Sequence, residues 1–216
     1  KGVKPESLLL FPNWSEVERF TSVDPAAVQE LSRKFDIPPD HKVVLYSGNI
    51  GEKQGLEIVI NAAKELVDQK ILFLIVGNGA GKEKLETLAA EQQLTNVSFL
   101  PLQPYELLPT LLKLADCHLV VQKRGVADAV LPSKLTNILA VGGNAVITAE
   151  PETELGKLCL SYPGIGVCVE PEQTDALVAG IKKAMRLPAE NETAKEYASE
   201  NLAKENILQN FIKYFR

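Results

Sequence analysis

The sequence predicts an α/β fold built on a doubly wound parallel sheet. Three observations predict it. Short apolar runs recur along the chain at regular intervals. Amphipathic stretches with helical spacing separate them almost without exception. Most runs are continuously apolar rather than alternating, as strands covered on both faces must be. Strand and helix in strict alternation imply a parallel sheet with helices on both sides.

The elements follow in order. Strands are expected at Leu8–Phe11, Val43–Tyr46, Ile71–Val76, Val97–Leu100, His118–Val121, Ala145–Thr148 and Val167–Val169. Asp24-Pro25 places a cap and an N1 proline before a helix through Phe35. Leu56, Val59, Ile60, Ala63 and Leu66 fall at helical spacing, as do Leu85, Leu88 and Ala89. Leu107, Leu108, Leu111, Leu112 and Leu114 form a third helical stripe. Ser133 reads as an N-cap and Gly142 as the stop of a short helix. From about Asp175 onward the chain reads as helical, ending with Ile207, Phe211 and Tyr214 on one face. Residues 1–7 read as a linker and 8–216 as one domain.

Composition narrows the function. The chain has 216 residues, 45% hydrophobic and 24% charged, enough for a real core without staples. A net charge of −5 argues against a duplex nucleic acid partner, which demands a basic surface. Neither a membrane-length apolar run nor a secretory leader is visible, so no direct membrane insertion is expected. Cys117, Cys159 and Cys168 are odd in number and contain no Cys-x-x-Cys pair, which suits reduced thiols and a cytoplasmic location. The chain begins at Lys1 and its one methionine is Met185, so it is expected to be part of a longer protein.

In an open parallel sheet ligands bind beyond the carboxyl ends of the strands, so the loops there carry the chemistry. After the second expected strand, Gly48, Asn49, Gly51, Lys53 and Gln54 sit in a glycine-rich turn that opens a helix. That arrangement suits a phosphate, though taken alone it reads first as an ordinary tight turn feeding a helix. After the third, Gly77-Asn78-Gly79-Ala80-Gly81-Lys82 resembles two known patterns and satisfies neither. Lys82 stands where the dinucleotide fingerprint needs its third glycine, and no acidic residue closes the next strand. Glu83 follows Gly-Lys where a P-loop needs Ser or Thr. A nicotinamide site and a P-loop are both rejected. After the fourth, Leu100 and Leu102 flank backbone able to pair with a base edge, and Tyr105 is placed to stack on it. Taken alone, those residues read first as a plain helix-entry loop with a half-buried Tyr. The loop after the fifth is the most informative. Arg124, Asp128, Ser133, Lys134, Leu135 and Asn137 combine cations with a helix start able to hold a diphosphate near Lys134 and Leu135. Asn137, one turn further, would reach a sugar hydroxyl.

Taken together these residues resemble the C-terminal half of glycosyltransferase family 4. The resemblance rests on Pro12-Asn13, Ser47-Gly48-Asn49-Ile50-Gly51, Gln54-Gly55-Leu56, Val76-Gly77-x-Gly79 and Asn96-Val97-x-Phe99. It continues with Ala115-Asp116-Cys117 and Pro132-x-Lys134-x-x-Asn137-x-x-Ala140-x-Gly142, and it covers nearly the whole chain. The stretch from Ala115 to Gly156 is similar to exopolysaccharide glycosyltransferases of the colanic-acid type. The resemblance implies the Rossmann-like C-terminal half of a GT-B fold with extra C-terminal helices, joined by residues 1–7 to an N-terminal acceptor domain. It implies a retaining, metal-independent glycosyltransferase with no cofactor, whose donor is a GDP- or UDP-sugar. GDP-fucose is one candidate donor. The acceptor would be a carbohydrate or lipid-linked sugar bound through the N-terminal domain, at the inner face of a membrane.

Two departures stand out. The family's paired glutamates are replaced by Ala129 and Asn137, with Asp128 as the neighbouring acid and the one catalytic candidate. The first loop's Arg and Lys are replaced by Asn49 and Gln54. Lys53, Arg124 and Lys134 are the candidates to supply the missing charge. No metal set is expected. His118 reads as a core residue and His41 as a solvated one. Two alternatives remain open: a non-catalytic nucleotide-binding module, and a nucleotide-sugar epimerase of the same fold.

Overall fold

A computed structural model describes residues 11, 14–126 and 131–214. The elements are α1 (Glu18–Thr21), α2 (Pro25–Lys34), β1 (Lys42–Ser47), α3 (Glu57–Glu65), β2 (Ile71–Val76), α4 (Lys82–Glu91) and β3 (Val97–Leu100). Then follow α5 (Leu108–Lys113), β4 (Cys117–Val120), α6 (Ser133–Ala140), β5 (Ala145–Thr148), α7 (Glu154–Ser161) and β6 (Val167–Val169). The chain ends in α8 (Thr174–Ala184), α9 (Glu192–Tyr197), a π-turn at Ala198–Leu202 and α10 (Lys204–Lys213). The strands form one parallel sheet in the order β3-β2-β1-β4-β5-β6. This is the doubly wound topology that the alternation predicts.

The continuous apolar runs are explained by burial on both faces. Val43 and Leu45 of β1 join one core with α5 and α6, while Val44 and Tyr46 join another with α3 and α8. Successive side chains of a strand point to opposite faces, so each layer takes every second residue. Helix α2 starts as expected, with the Asp24 carboxylate accepting from the Ala26 N–H at 2.9 Å. Helix α6 stops as expected. The N–H groups of Gly142 and Gly143 donate to the Leu139 and Ile138 carbonyls at 3.0 and 2.9 Å, a Schellman pair.

Several expectations change. The strand at Leu8–Phe11 falls outside the described residues except for Phe11, which is not in a strand, and so does the linker at residues 1–7. β4 ends one residue early, at Val120. The reason is the Thr148 hydroxyl, which accepts from the Gln122 N–H at 2.8 Å and donates to the Gln122 carbonyl at 2.9 Å, drawing the backbone out of the ladder. Tyr214 does not share the buried face of Ile207; it is 73% exposed.

The Thr148 pair leads to a prediction. Thr148→Val keeps the shape but strands two buried backbone groups of Gln122. Unfolding in urea should show a loss of about 2–4 kcal/mol. A change under 0.5 kcal/mol would mean that water replaces the hydroxyl.

Candidate functional site

The strand order reverses between β1 and β4, which opens a crevice at their carboxyl ends. The flanking loops are joined to one another. Past the strand ends, the Gly48 N–H donates to the Val76 carbonyl at 3.0 Å and the Ile50 N–H to the Asn78 carbonyl at 2.9 Å. The Gly81 N–H returns to the Ile50 carbonyl at 2.9 Å. Across the crevice the Lys123 N–H donates to the Lys53 carbonyl at 3.0 Å. The crevice rim is therefore a set of cross-bonded turns.

One cation stands at its centre. The Lys134 Nζ donates to the Tyr46 hydroxyl at 3.1 Å and lies 4.5 Å from the centroid of the same ring. The Tyr46 hydroxyl donates to the Asn49 carbonyl at 2.6 Å. Burial pushes the Tyr46 phenol well above its usual range, so it stays neutral and keeps both bonds at physiological pH. A β-carbon on Gly48 would lie 3.5 Å from the Lys134 Nζ, which places the ammonium beside the first turn of the β1 loop.

Helix α6 begins at this point, but not as expected. Pro132 is the N-cap, in extended conformation, and Ser133 is the first helical residue with no capping bond. The Leu135 N–H donates to the Pro132 carbonyl at 2.9 Å, within the first turn of the helix. The helix start combines a partial positive charge with the side chains of Ser133 and Lys134.

The other expected residues are distributed as follows. Gln54 is a turn-holder: its carbonyl oxygen accepts from the Gly51 N–H at 3.1 Å. The Asn49 amide folds over the same turn, within 2.8 Å of where a β-carbon on Gly51 would stand. Lys53 is exposed on the turn. Gly77 is buried against Gly48. Leu100 is half-buried, and Leu102 is 64% exposed beyond the end of β3. The Tyr105 ring is covered by the Arg19 guanidinium at 3.9 Å, which also donates to the Tyr105 carbonyl at 3.0 Å. Asn137 is half-buried, and its carbonyl oxygen accepts from the Ser15 hydroxyl at 3.0 Å. Asp128 lies outside the described residues.

Arg124 is held by carboxylates. Its guanidinium donates to Glu170 at 2.6 Å and Glu150 at 3.1 Å, beyond the ends of β6 and β5. Glu172 and Glu150 also accept from the N–H groups of Arg124 and Gly125. Hydrogen bonding to Glu170 holds the guanidinium's pKa above its usual value.

Tyr46, Ser15 and the three glutamates carry no local signal of a site in the sequence. Tyr46 reads as one more core residue of an apolar strand, and Ser15 lies 122 positions from the residue it contacts. No periodicity reports such pairs. Among the described residues no cluster of three or more His, Cys, Asp or Glu is arranged to hold a metal.

His118 is 1% exposed in β4, and burial pushes its pKa from 6.5 down to about 4, the opposing effect of Asp116 being smaller. Between those two pH values the unfolded chain binds a proton that the folded chain refuses, so stability falls as pH falls through this window. The loss amounts to as much as roughly 3 kcal/mol. In urea unfolding from pH 7 to pH 4, wild type should lose more stability than His118→Asn. Parallel pH profiles would show that the imidazole titrates alike in both states.

Residues 27–201 match the family described as "Glycosyl transferases group 1". Over 216 residues the chain is 61% identical to a protein named as a colanic acid biosynthesis glycosyl transferase, WcaI of Escherichia coli (strain K12). The match takes in 100% of this chain and 53% of that protein. The chain spans about half the length of the curated relatives it matches. Among solved structures, a glycosyltransferase from Rickettsia africae superposes with a TM-score of 0.84 at 14% identity, over 99% of this chain and 57% of that one. HepE of Anabaena, solved in complex with UDP and glucose, superposes with a TM-score of 0.82 at 16% identity, over 99% of this chain and 58% of that one. These likenesses establish the fold, which is that of GT-B glycosyltransferases.

Proposed function

This chain belongs to the glycosyl transferases group 1 family, and from that premise we propose that it is the donor-binding half of a retaining, metal-independent glycosyltransferase. Its donor is a UDP- or GDP-sugar, held by base and diphosphate in the crevice between β1 and β4. Its acceptor is a carbohydrate or lipid-linked sugar of exopolysaccharide assembly, presented by a second domain on the cytoplasmic side of a membrane.

The observation that carries this reading is Lys134, whose ammonium stands on the Tyr46 hydroxyl at the start of α6, at the strand-order reversal. As the bond between the anomeric carbon and the diphosphate oxygen breaks, negative charge grows on the departing oxygen. A cation and a helix end already in place stabilise that charge without reorganising. The Asn137 amide, one turn along α6, would hydrogen-bond a ribose hydroxyl. Complexes of HepE with UDP support a uridine donor, and the likeness to WcaI supports the exopolysaccharide role.

An epimerase of the same fold needs an acid–base histidine beside the sugar. His118 is enclosed in β4 and His41 bonds Asp40 in an exposed turn, so neither serves. The test is calorimetry with UDP, GDP, ADP and NAD, each with magnesium and with EDTA. One nucleoside diphosphate should bind equally in both conditions, and NAD should not bind. Binding that vanishes in EDTA would overturn the metal-independent reading. Binding of none would overturn the donor site.

A further inference from the structure

His118 is a buried imidazole that the proposed transfer does not use. It lies on the face of β4 between α5 and α6, and neither ring nitrogen has a hydrogen-bond partner among the described residues. Polar groups this deep are satisfied by protein or by ordered water. Two cavities meet at the ring. The larger, about 300 Å³, opens at the amino end of the sheet beside Asp116, Gly143 and Asn144. The Nε2 edge faces Gly143, where a β-carbon would come within 2.5 Å. The smaller, about 30 Å³, lies toward the carboxyl end, and its polar lining is His118, Ser47, Lys134 and Asn137. That is room for one water with enough polar partners to hold it; an apolar void would stay dry.

We infer that His118 is a positioning residue of the donor site, acting through one ordered water in the smaller cavity. The hydrogen bonds balance. The Asn137 carbonyl oxygen is already taken by the Ser15 hydroxyl, so its amide N–H donates to the water. The water donates to the unprotonated ring nitrogen and to the Ser47 hydroxyl oxygen. The protonated ring nitrogen is served from the larger cavity. The Asn137 amide is thereby fixed in the orientation that presents its other N–H toward a ribose. The inference rests on the donor-site reading of Lys134 and Asn137.

The test compares His118→Met, His118→Gln and Lys134→Ala with wild type. UDP and GDP binding is measured by calorimetry, and the wild-type cavity is examined in a high-resolution crystal structure. A water peak within hydrogen-bond distance of His118 and Asn137 is expected. His118→Met should weaken binding of the preferred nucleotide roughly three- to tenfold, and His118→Gln should restore it to within about twofold. A cavity without water overturns the inference, and needs no variant that folds. Binding unchanged in His118→Met while Lys134→Ala weakens it overturns the positioning role and leaves the donor site standing. Binding unchanged in Lys134→Ala removes the donor-site reading and the inference together.

Discussion

Gly77→Ala should destabilise the chain by about 3 kcal/mol or more and abolish nucleotide binding. The β-carbon it adds would stand 1.9 Å from the Gly48 carbonyl oxygen, and the backbone there has φ +152°. The atom in the way is backbone, so no side chain can swing aside. Either β2 parts from β1 or the β1 loop moves. Each choice breaks the Gly48-to-Val76 hydrogen bond that closes the floor beneath Lys134. Gly79→Ala meets the Ile50 carbonyl oxygen at 2.2 Å and should behave alike. Gly125→Ala is the control. Its φ is +72°, but among the described residues nothing lies within 4 Å of the added carbon. It should cost only the backbone strain, about 1 kcal/mol. Urea unfolding and calorimetry on the three variants decide the matter. If Gly77→Ala were no worse than Gly125→Ala, the close approach of the two loops would be wrong.

Lys134→Ala should weaken the preferred nucleoside diphosphate about 10- to 100-fold, the usual size of a lost charge-assisted hydrogen bond. Stability should change far less, because the side chain is only partly buried. Arg124→Ala should weaken binding less than about threefold, because Glu170 and Glu150 already hold its guanidinium. Lys134→Arg should recover only part of the affinity. A planar fork does not fit the space of a point charge between Gly48 and the Tyr46 ring. Calorimetry at two salt concentrations checks all three, since the Lys134 contribution should shrink as salt rises. A larger loss from Arg124→Ala than from Lys134→Ala would move the anion site onto the loop after β4.

Much of this was legible before the structure. Six of the seven expected strands are present, four of them with the expected ends. Continuous apolar runs bounded by turn residues admit few other assignments. The Gly142 stop was legible because a Schellman turn depends on local backbone alone. The N-cap was not: Ser133 is a capping residue type, yet the extended backbone of the cap falls one position earlier, at Pro132. Within the site, the sequence identified Lys134 as a cation at a helix start. It also put Arg124 in the same role, because two cations in one loop look alike when their partners are unknown.

The sequence by itself determined the layer architecture, the order of strand and helix, and which loops crown the carboxyl edge. Hydrophobic periodicity and turn chemistry act over a few residues and can be read from them. Only the tertiary structure decided which polar groups meet. It set Lys134 on Tyr46 across 88 positions, Asn137 against Ser15 across 122, and Arg124 against Glu170 across 46. The reason is physical. Hydrogen bonds and ion pairs act at about 3 Å, and packing the two apolar cores fixes which distant side chains come that close.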